Sequence, residues 1–343
     1  MRIGVLTGGG DAAGLNAAIR AVSRTALRQG DTVAGVLNGW AGLLDGGSVL
    51  ELIEQSFFGA LREGGTMLGT SRTNPLGIDD GLSIVERNLI GHGFDALVAI
   101  GGDDTLSVAT ALSARGVPVV GVPKTIDYDL AVTEYCIGFE TAVSVVTEAL
   151  DRLHTTAASH HRVMVCEVMG RDTGWLALMG GLAGGADLIV IPEFSVTIDE
   201  LVERLEERRI AGKSSSIVVI AEGAWPEGLE GLEGDARTDA FGHVALARRS
   251  VGERLADALS KATGHETRAT VLGHVQRGGS PVAADRIWPT RLGARVVDEL
   301  HQGRLGVCTI VREGGISIAP LAEMVAFQKI VPRDLYDLAI QIN

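Results

Sequence analysis

Two short apolar runs, Ala96 to Ile100 and Val117 to Val122, constrain this chain more than any other feature. Each is too short for a buried helix and reads as a parallel strand covered on both faces. Each runs directly into a loop dense with reactive side chains: Gly101-Gly102-Asp103-Asp104-Thr105 after the first, Pro123-Lys124-Thr125-Ile126-Asp127-Tyr128-Asp129 after the second. Strands of this kind belong to open α/β sheets, whose C-terminal edge is the binding edge. Carboxylates, a lysine, threonines and a bare glycine pair at that edge suit phosphate together with a metal.

The rest of the chain alternates in the same way. Arg2 to Thr7 reads as a strand, Gly8-Gly9-Gly10-Asp11-Ala12-Ala13-Gly14 as a loop, and Leu15 to about Arg28 as a helix. A helix around Leu82 to Gly91 leads to the first apolar run. From Gly138 onward Ala142, Val145, Val146, Ala149 and Leu150 recur at helical spacing. A strand is expected over Val163 to Val168, then a helix from Trp175 to about Ala183. Leu188 to Ile191 and Ile217 to Ala221 bracket a charged helix, Ile198 to Arg209. Trp225 to Gly242 lacks periodicity and reads as an exposed loop. Helix Leu246 to Lys261, strand Arg268 to Leu272, helix Ala284 to Leu300 and segments around Val307 to Arg312 complete the pattern. A chain of 343 residues alternating in this way has room for two core-forming lobes.

Composition removes several partners. A net charge of −13 argues against nucleic acid or an anionic membrane, since phosphate backbones are held by positive fields. An anionic substrate must therefore meet locally basic residues. The N-terminus lacks the basic-then-apolar layout of a signal peptide and no apolar run is long enough to cross a bilayer, so a cytoplasmic location is expected. Cys136, Cys166 and Cys308 show no metal-ligand spacing and fit a reducing compartment.

Chemistry-bearing residues cluster at the ends of the expected strands. Gly8 to Gly10 let backbone amides approach an anion at a helix N-terminus. Arg72, closing a run of small residues from Gly64, carries a fork of donors suited to phosphate. Asp103 is placed to hold Mg²⁺, and the adjacent Asp104 demands a compensating cation, for which Lys124 is the neighbouring supplier. Asp127 and Asp129 lie two apart, on one side of the chain if the loop is extended, so that one can accept a hydroxyl proton while the other binds metal. Arg171 follows Met169 and Gly170 at another strand end, and Glu222 closes a further strand. His274 and Arg277, boxed by glycines, make a compact anion site with Arg268 a strand's length before them. The pair His160 and His161 has no third ligand in reach, which disfavours a metal there.

Six separated motifs, Gly9-Gly10-Asp11, Gly101-Gly102-Asp103, Thr125-Ile126-Asp127, Met169-Gly170-Arg171, Glu222 and Gly273 to Gly279, occur in the order of the phosphofructokinases, which the chain resembles from its first strand to near its C-terminus. The resemblance implies an α/β fold of two αβα (Rossmann-like) lobes with the active site in the cleft between them. A larger donor lobe would comprise residues 1–138 plus about 277–325, and a smaller sugar-phosphate lobe 139–276 plus about 326–343. It further implies Mg²⁺-dependent transfer to the 1-hydroxyl of fructose 6-phosphate, with Asp127 as general base and Asp103 and Asp129 on the metal. Thr125 and Arg171 would steady the transferring phosphoryl, and Gly10, Arg72, Asp104 and Lys124 would face the donor. Met169, Gly170 and Glu222 would contact the sugar. His274 and Arg277 would hold its 6-phosphate, with Arg162 and Arg268 contributed across a subunit boundary in a homodimer or homotetramer.

The resemblance also bears on the donor. ATP-using relatives generally carry glycine where this chain has Asp104, while the pyrophosphate-using group pairs aspartate with a lysine matching Lys124. A carboxylate at 104 would crowd and repel the α-phosphate and ribose of a nucleotide. Pyrophosphate is accordingly the expected donor, in a reversible reaction. An ATP-dependent kinase, an enzyme acting on another sugar phosphate such as sedoheptulose 7-phosphate, and an idle sugar-phosphate sensor are the alternatives.

Overall fold

The computed structural model describes residues 1–230 and 250–342. The helix expected from Leu246 begins at Val251, its first residues and the loop from 231 to 242 lying outside the described residues. Strands β1 (Arg2–Thr7), β2 (Thr32–Val36), β3 (Val49–Glu51), β4 (Ala96–Gly101), β5 (Val119–Pro123), β10 (Val307–Arg312) and β11 (Gly315–Pro320) form one sheet in the order β11-β10-β5-β4-β1-β2-β3. Its five central strands are parallel and the two edges antiparallel. The continuous apolar runs follow from burial on both faces: Val98 and Ile100 point to the side covered by α1 (Leu15–Arg28) and α9 (Ala284–His301). Leu97 and Ala99, alternating with them, point to the side of α3 (Gly81–Gly91) and α4 (Asp103–Ala114). A short helix α2 (Gly39–Leu44) joins β2 to β3.

A second sheet, wholly parallel and ordered β7-β8-β6-β9, is built from β6 (Val163–Val168), β7 (Leu188–Val190), β8 (Ser216–Ala221) and β9 (Thr267–Val271). Helices α5 (Phe139–His160), α6 (Trp175–Ala183), α7 (Ile198–Ile210) and α8 (Val251–Thr263) enclose it in a core of its own. The two lobes of the expected fold class are therefore present. After β11 the chain forms α10 (Leu321–Met324), crosses to the second lobe and ends in α11 (Arg333–Ile342), packed on α6 and β7. Among the described residues no helix is long and apolar enough to cross a membrane.

Three elements differ from expectation. The β2-α2-β3 unit and the β11-α10-α11 ending have short or weakly patterned strands, and they form because they cover edges of a sheet already specified by its centre. The loop after β5 is not extended: Tyr128 takes a φ of +56°, and the chain turns between Asp127 and Asp129.

Asp285, in the first turn of α9, is fully buried. It accepts from the Tyr135 phenol, from the backbone N–H groups of Gly138 (2.9 Å) and Thr141 (2.7 Å), and from Thr141 Oγ1 (2.5 Å). Burial pushes its pKa up and these donors pull it back. The bonds lock the start of α5, where the chain enters the second lobe, onto α9. Asp285→Ala strands four buried donors at once and is expected to cost about 2–4 kcal/mol, read as a lower urea midpoint.

Candidate active site

Strand order fixes where a site can form. In the larger sheet the chain runs from β1 outward to β2 and then returns to the other side for β4 and β5, which opens a crevice beyond the C-terminal ends of β1 and β4. In the smaller sheet β6 has β8 on one side and β9 on the other, opening a second crevice at its own C-terminal end. The two edges face each other across a cleft of about 400 Å³, lined from one side by Gly9, Gly10, Arg72, Asp103, Asp104 and Lys124, and from the other by Met169, Arg171 and Glu222.

Each side chain is carried there by local structure. The loop bearing Arg72 is strapped to the first glycine loop, with Gly9 N–H donating to the Ser71 carbonyl (3.1 Å) and Thr70 Oγ1 to the Gly9 carbonyl (2.7 Å). Asp103 and Asp104 occupy the first turn of α4, so a helix end that would otherwise attract phosphate is filled by carboxylates and favours a cation. Lys124, 3% exposed, extends from the end of β5 across β4 and donates to the Gly10 carbonyl at 2.5 Å. Burial, and then Arg277, pull its pKa down to about 8.

The turn after β5 is held by Thr125, whose Oγ1 donates to Asp129 Oδ1 at 3.1 Å and accepts the Asp127 N–H at 3.1 Å. Thr173 Oγ1 reaches across from the smaller lobe to the Asp127 carbonyl at 3.0 Å. Burial and the neighbouring Asp129 raise Asp127 to about 6, against the pull of Arg277, Arg171 and Lys124. It is thus ionised at neutral pH yet basic enough to accept a proton. Glu222 is also pushed up, by burial and then by Asp127.

Gly10 and Gly170 are required by geometry. A Cβ at Gly10 would lie 2.5 Å from Arg277 Nη1, so only a bare backbone lets that guanidinium lie against the loop, where Nη1 donates to the Asp11 carbonyl at 3.2 Å. Gly170 has a φ of +138°, and a Cβ there would meet the Thr173 carbonyl at 2.7 Å.

The cleft gathers Asp103, Asp104, Lys124, Thr125, Asp127, Asp129, Met169, Arg171, Glu222 and Arg277 beside Gly10 and Arg72. Gly170, His274, Arg162 and Arg268 do not line it. Gly170 shapes the turn, its carbonyl accepting from Gly223 N–H at 2.9 Å. His274 lies exposed on the turn Gly273–Arg277. Arg162 and Arg268 stand near the N-terminal ends of β6 and β9, roughly 20 and 10 Å from the C-terminal ends of those strands at about 3.3 Å per residue, and both pair with Glu266.

Sequence reasoning missed Val325, Phe327 and Gln328, which also line the cleft. No local signal marks them, because they arrive on a segment some two hundred residues from the turn after β5. It also left Gln276 without a role. Gln276 is buried and its Oε1 accepts the Met169 N–H at 3.2 Å, joining the ends of β6 and β9.

The phosphofructokinase family model matches residues 2–300. The chain belongs to the phosphofructokinase family. It is 50% identical over 343 residues to the pyrophosphate–fructose 6-phosphate 1-phosphotransferase of Amycolatopsis mediterranei, spanning 99% of this chain and 98% of that protein. It is also 47% identical over 337 residues to ATP-dependent 6-phosphofructokinase 3 of Streptomyces coelicolor, spanning 98% of each. Among solved structures, Pichia pastoris phosphofructokinase in the T-state superposes with a TM-score of 0.84 at 34% identity, over 95% of this chain and 35% of that one. Relatives this similar carry both donors in their names, so family membership leaves the donor to the chemistry of the cleft.

Proposed function

We propose that this chain transfers a phosphoryl group from pyrophosphate to the 1-hydroxyl of fructose 6-phosphate, reversibly and in the cytoplasm, giving fructose 1,6-bisphosphate and phosphate. The observation that carries the donor is the Asp104 carboxylate in the cleft wall, one residue beyond Asp103. It repels the α-phosphate and occupies the space that a nucleotide's ribose would need, whereas a short donor can sit against Lys124 and Arg72.

Basic side chains in the cleft, Arg72, Lys124, Arg171 and Arg277, are outnumbered by the acidic Asp103, Asp104, Asp127, Asp129, Asp172 and Glu222. A site with that balance needs a cation to accept an anionic donor. Asp103 and Asp129 are the carboxylates that would hold Mg²⁺, a hard cation commonly bound through one or two protein carboxylates. Bound there, Mg²⁺ supplies charge neutralisation for the donor phosphates.

Asp127 takes the proton of the 1-hydroxyl. Thr125 and Arg171 steady the transferring phosphoryl, and Gly10, Arg72 and Lys124 bind the remainder of the donor. Met169, Gly170 and Glu222 orient the sugar. Arg277 takes the 6-phosphate, while His274 on the same turn lies exposed outside the cleft lining. Arg162 and Arg268, which do not line this chain's own cleft, complete the site of a neighbouring subunit in a homodimer or homotetramer. Residues 1–138 with about 277–325 make up the donor lobe, and 139–276 with about 326–343 the sugar lobe.

The test is a coupled assay offering pyrophosphate and ATP separately to the wild type and to Asp104→Gly. Wild-type turnover is expected with pyrophosphate, and the variant should raise kcat/KM for ATP about tenfold or more by removing one like-charge contact. Wild-type turnover with ATP and none with pyrophosphate would sink the donor assignment. That second reading is favoured by the similarity to the ATP-dependent Streptomyces protein.

A further inference from the structure

Tyr128 stands between the two carboxylates of the catalytic turn with a φ of +56°, a conformation that a bulky residue enters only under constraint. The constraint surrounds its ring. Phe139 stacks on one face, with 4.5 Å between centroids and 18° between planes. Trp175 meets the ring edge at 5.2 Å and 82°, and the phenol donates to the Glu134 carbonyl at 2.7 Å. Since Phe139 fills one face, the Lys329 ammonium must cover the other, 3.2 Å from the ring centroid.

Lys329 belongs to the strap from 325 to 331, which leaves the larger lobe after α10 and reaches α11 on the smaller one. Its backbone N–H donates to the Asp129 carbonyl at 2.8 Å, and its ammonium to the Thr133 carbonyl at 2.9 Å. Its own carbonyl accepts the Trp175 indole N–H at 2.7 Å, which ties the strap to the smaller lobe. Glu193 secures the next turn of the strap by accepting from Val331 N–H at 3.2 Å while also accepting from Gly174 N–H at 2.9 Å. One residue therefore grips the catalytic turn twice, at the main chain of 129 and at the side chain of 128.

We propose that Lys329 is a positioning residue for phosphoryl transfer: its ammonium, seated on Tyr128, clamps the left-handed turn that aims Asp127 and Asp129 into the cleft. The role presupposes Asp127 as base and Asp129 as metal ligand. The turn has two ways to hold its shape. An asparagine at 128 enters the left-handed region on its own side-chain hydrogen bonding, whereas a tyrosine needs an external hold. Removing the clamp should therefore matter only while position 128 is aromatic. Loss of the ammonium lets the turn relax toward ordinary φ, which displaces both carboxylates by an amount that a proton transfer does not tolerate.

The experiment compares kcat and both KM values at saturating Mg²⁺ for the wild type, Lys329→Met, Lys329→Arg, Tyr128→Asn and the Tyr128→Asn/Lys329→Met double variant. Lys329→Met, which keeps the stem and drops the charge, is expected to lower kcat roughly 30-fold, the weight of a desolvated cation–π contact, with KM values moving less than about threefold. Lys329→Arg should restore kcat to within about fivefold of wild type, since a guanidinium also sits on an aromatic face. In the Tyr128→Asn background the same Lys329→Met change should cost less than about threefold. A wild-type kcat in Lys329→Met, or an equal loss in both backgrounds, overturns the inference and leaves Lys329 as a tether of the strap. Turnover with ATP alone would overturn the donor reading and not this one, because the comparison is then made with ATP. Absence of turnover with either donor overturns both.

Discussion

Asp127→Asn should lower kcat by about 10²–10⁴-fold while the KM for fructose 6-phosphate stays within a few-fold, because the side chain is asked to take a proton only as the new bond forms. An asparagine cannot take that proton. Asp129, the nearest carboxylate along the chain, is engaged by the Thr125 hydroxyl. The substitution is nearly isosteric, and Asp127's link to the smaller lobe runs through its main-chain carbonyl to Thr173, so the fold around the turn is retained. Steady-state rates with pyrophosphate, together with the melting temperature, check both halves of the expectation. A variant within threefold of the wild-type kcat would remove Asp127 from the chemistry.

Lys124→Met carries the second large effect, an expected loss of about 10²–10³ in kcat/KM for pyrophosphate, the range for deleting one preorganised charge at a developing anion. The side chain is buried and already aimed, its ammonium resting on the Gly10 carbonyl, so in the proposed role it would meet donor charge without having to reorganise. Its titration gives a second readout. Burial and Arg277 disfavour the charged form and bring the pKa down to about 8, so the ammonium is present below that pH and lost above it. The kcat/KM for pyrophosphate should therefore fall as pH rises through about 8, and Lys124→Met should lack that alkaline limb. Melting temperature is not expected to drop, since the methionine keeps the packed stem and removes a desolvated charge. An unchanged alkaline limb in the variant would assign the titration to another group.

Much of the site could be read from residue order because a parallel strand buried on both faces is an unbroken apolar run, and the residues just after it stand at the binding edge. Asp103, Asp104, Lys124, Thr125, Asp127, Asp129, Met169, Arg171 and Glu222 all follow such runs, and all line the cleft. The smaller lobe's strands β6 and β8 were visible for the same reason. The hairpin edges of the larger sheet were not, because a three-residue strand such as β3 has no periodicity of its own and exists through its pairing with β2. His274 shows the limit in the other direction. Its neighbours form a suitable motif, yet the turn Gly273–Arg277 presents Arg277 to the cleft and leaves the imidazole in solvent.

By itself the sequence determined the α/β class and the loops that carry the chemistry, since both depend on residues close together along the chain. Tertiary structure alone decided that Lys124 is buried against Gly10, that Tyr128 turns left-handed under Lys329, and that Phe327 and Gln328 enter the cleft. The first depends on strand order within the larger sheet, and the other two on how two separately packed sheets meet. Contacts between residues two hundred positions apart leave no periodic trace, because they are selected by the surfaces that both lobes present after their cores have formed.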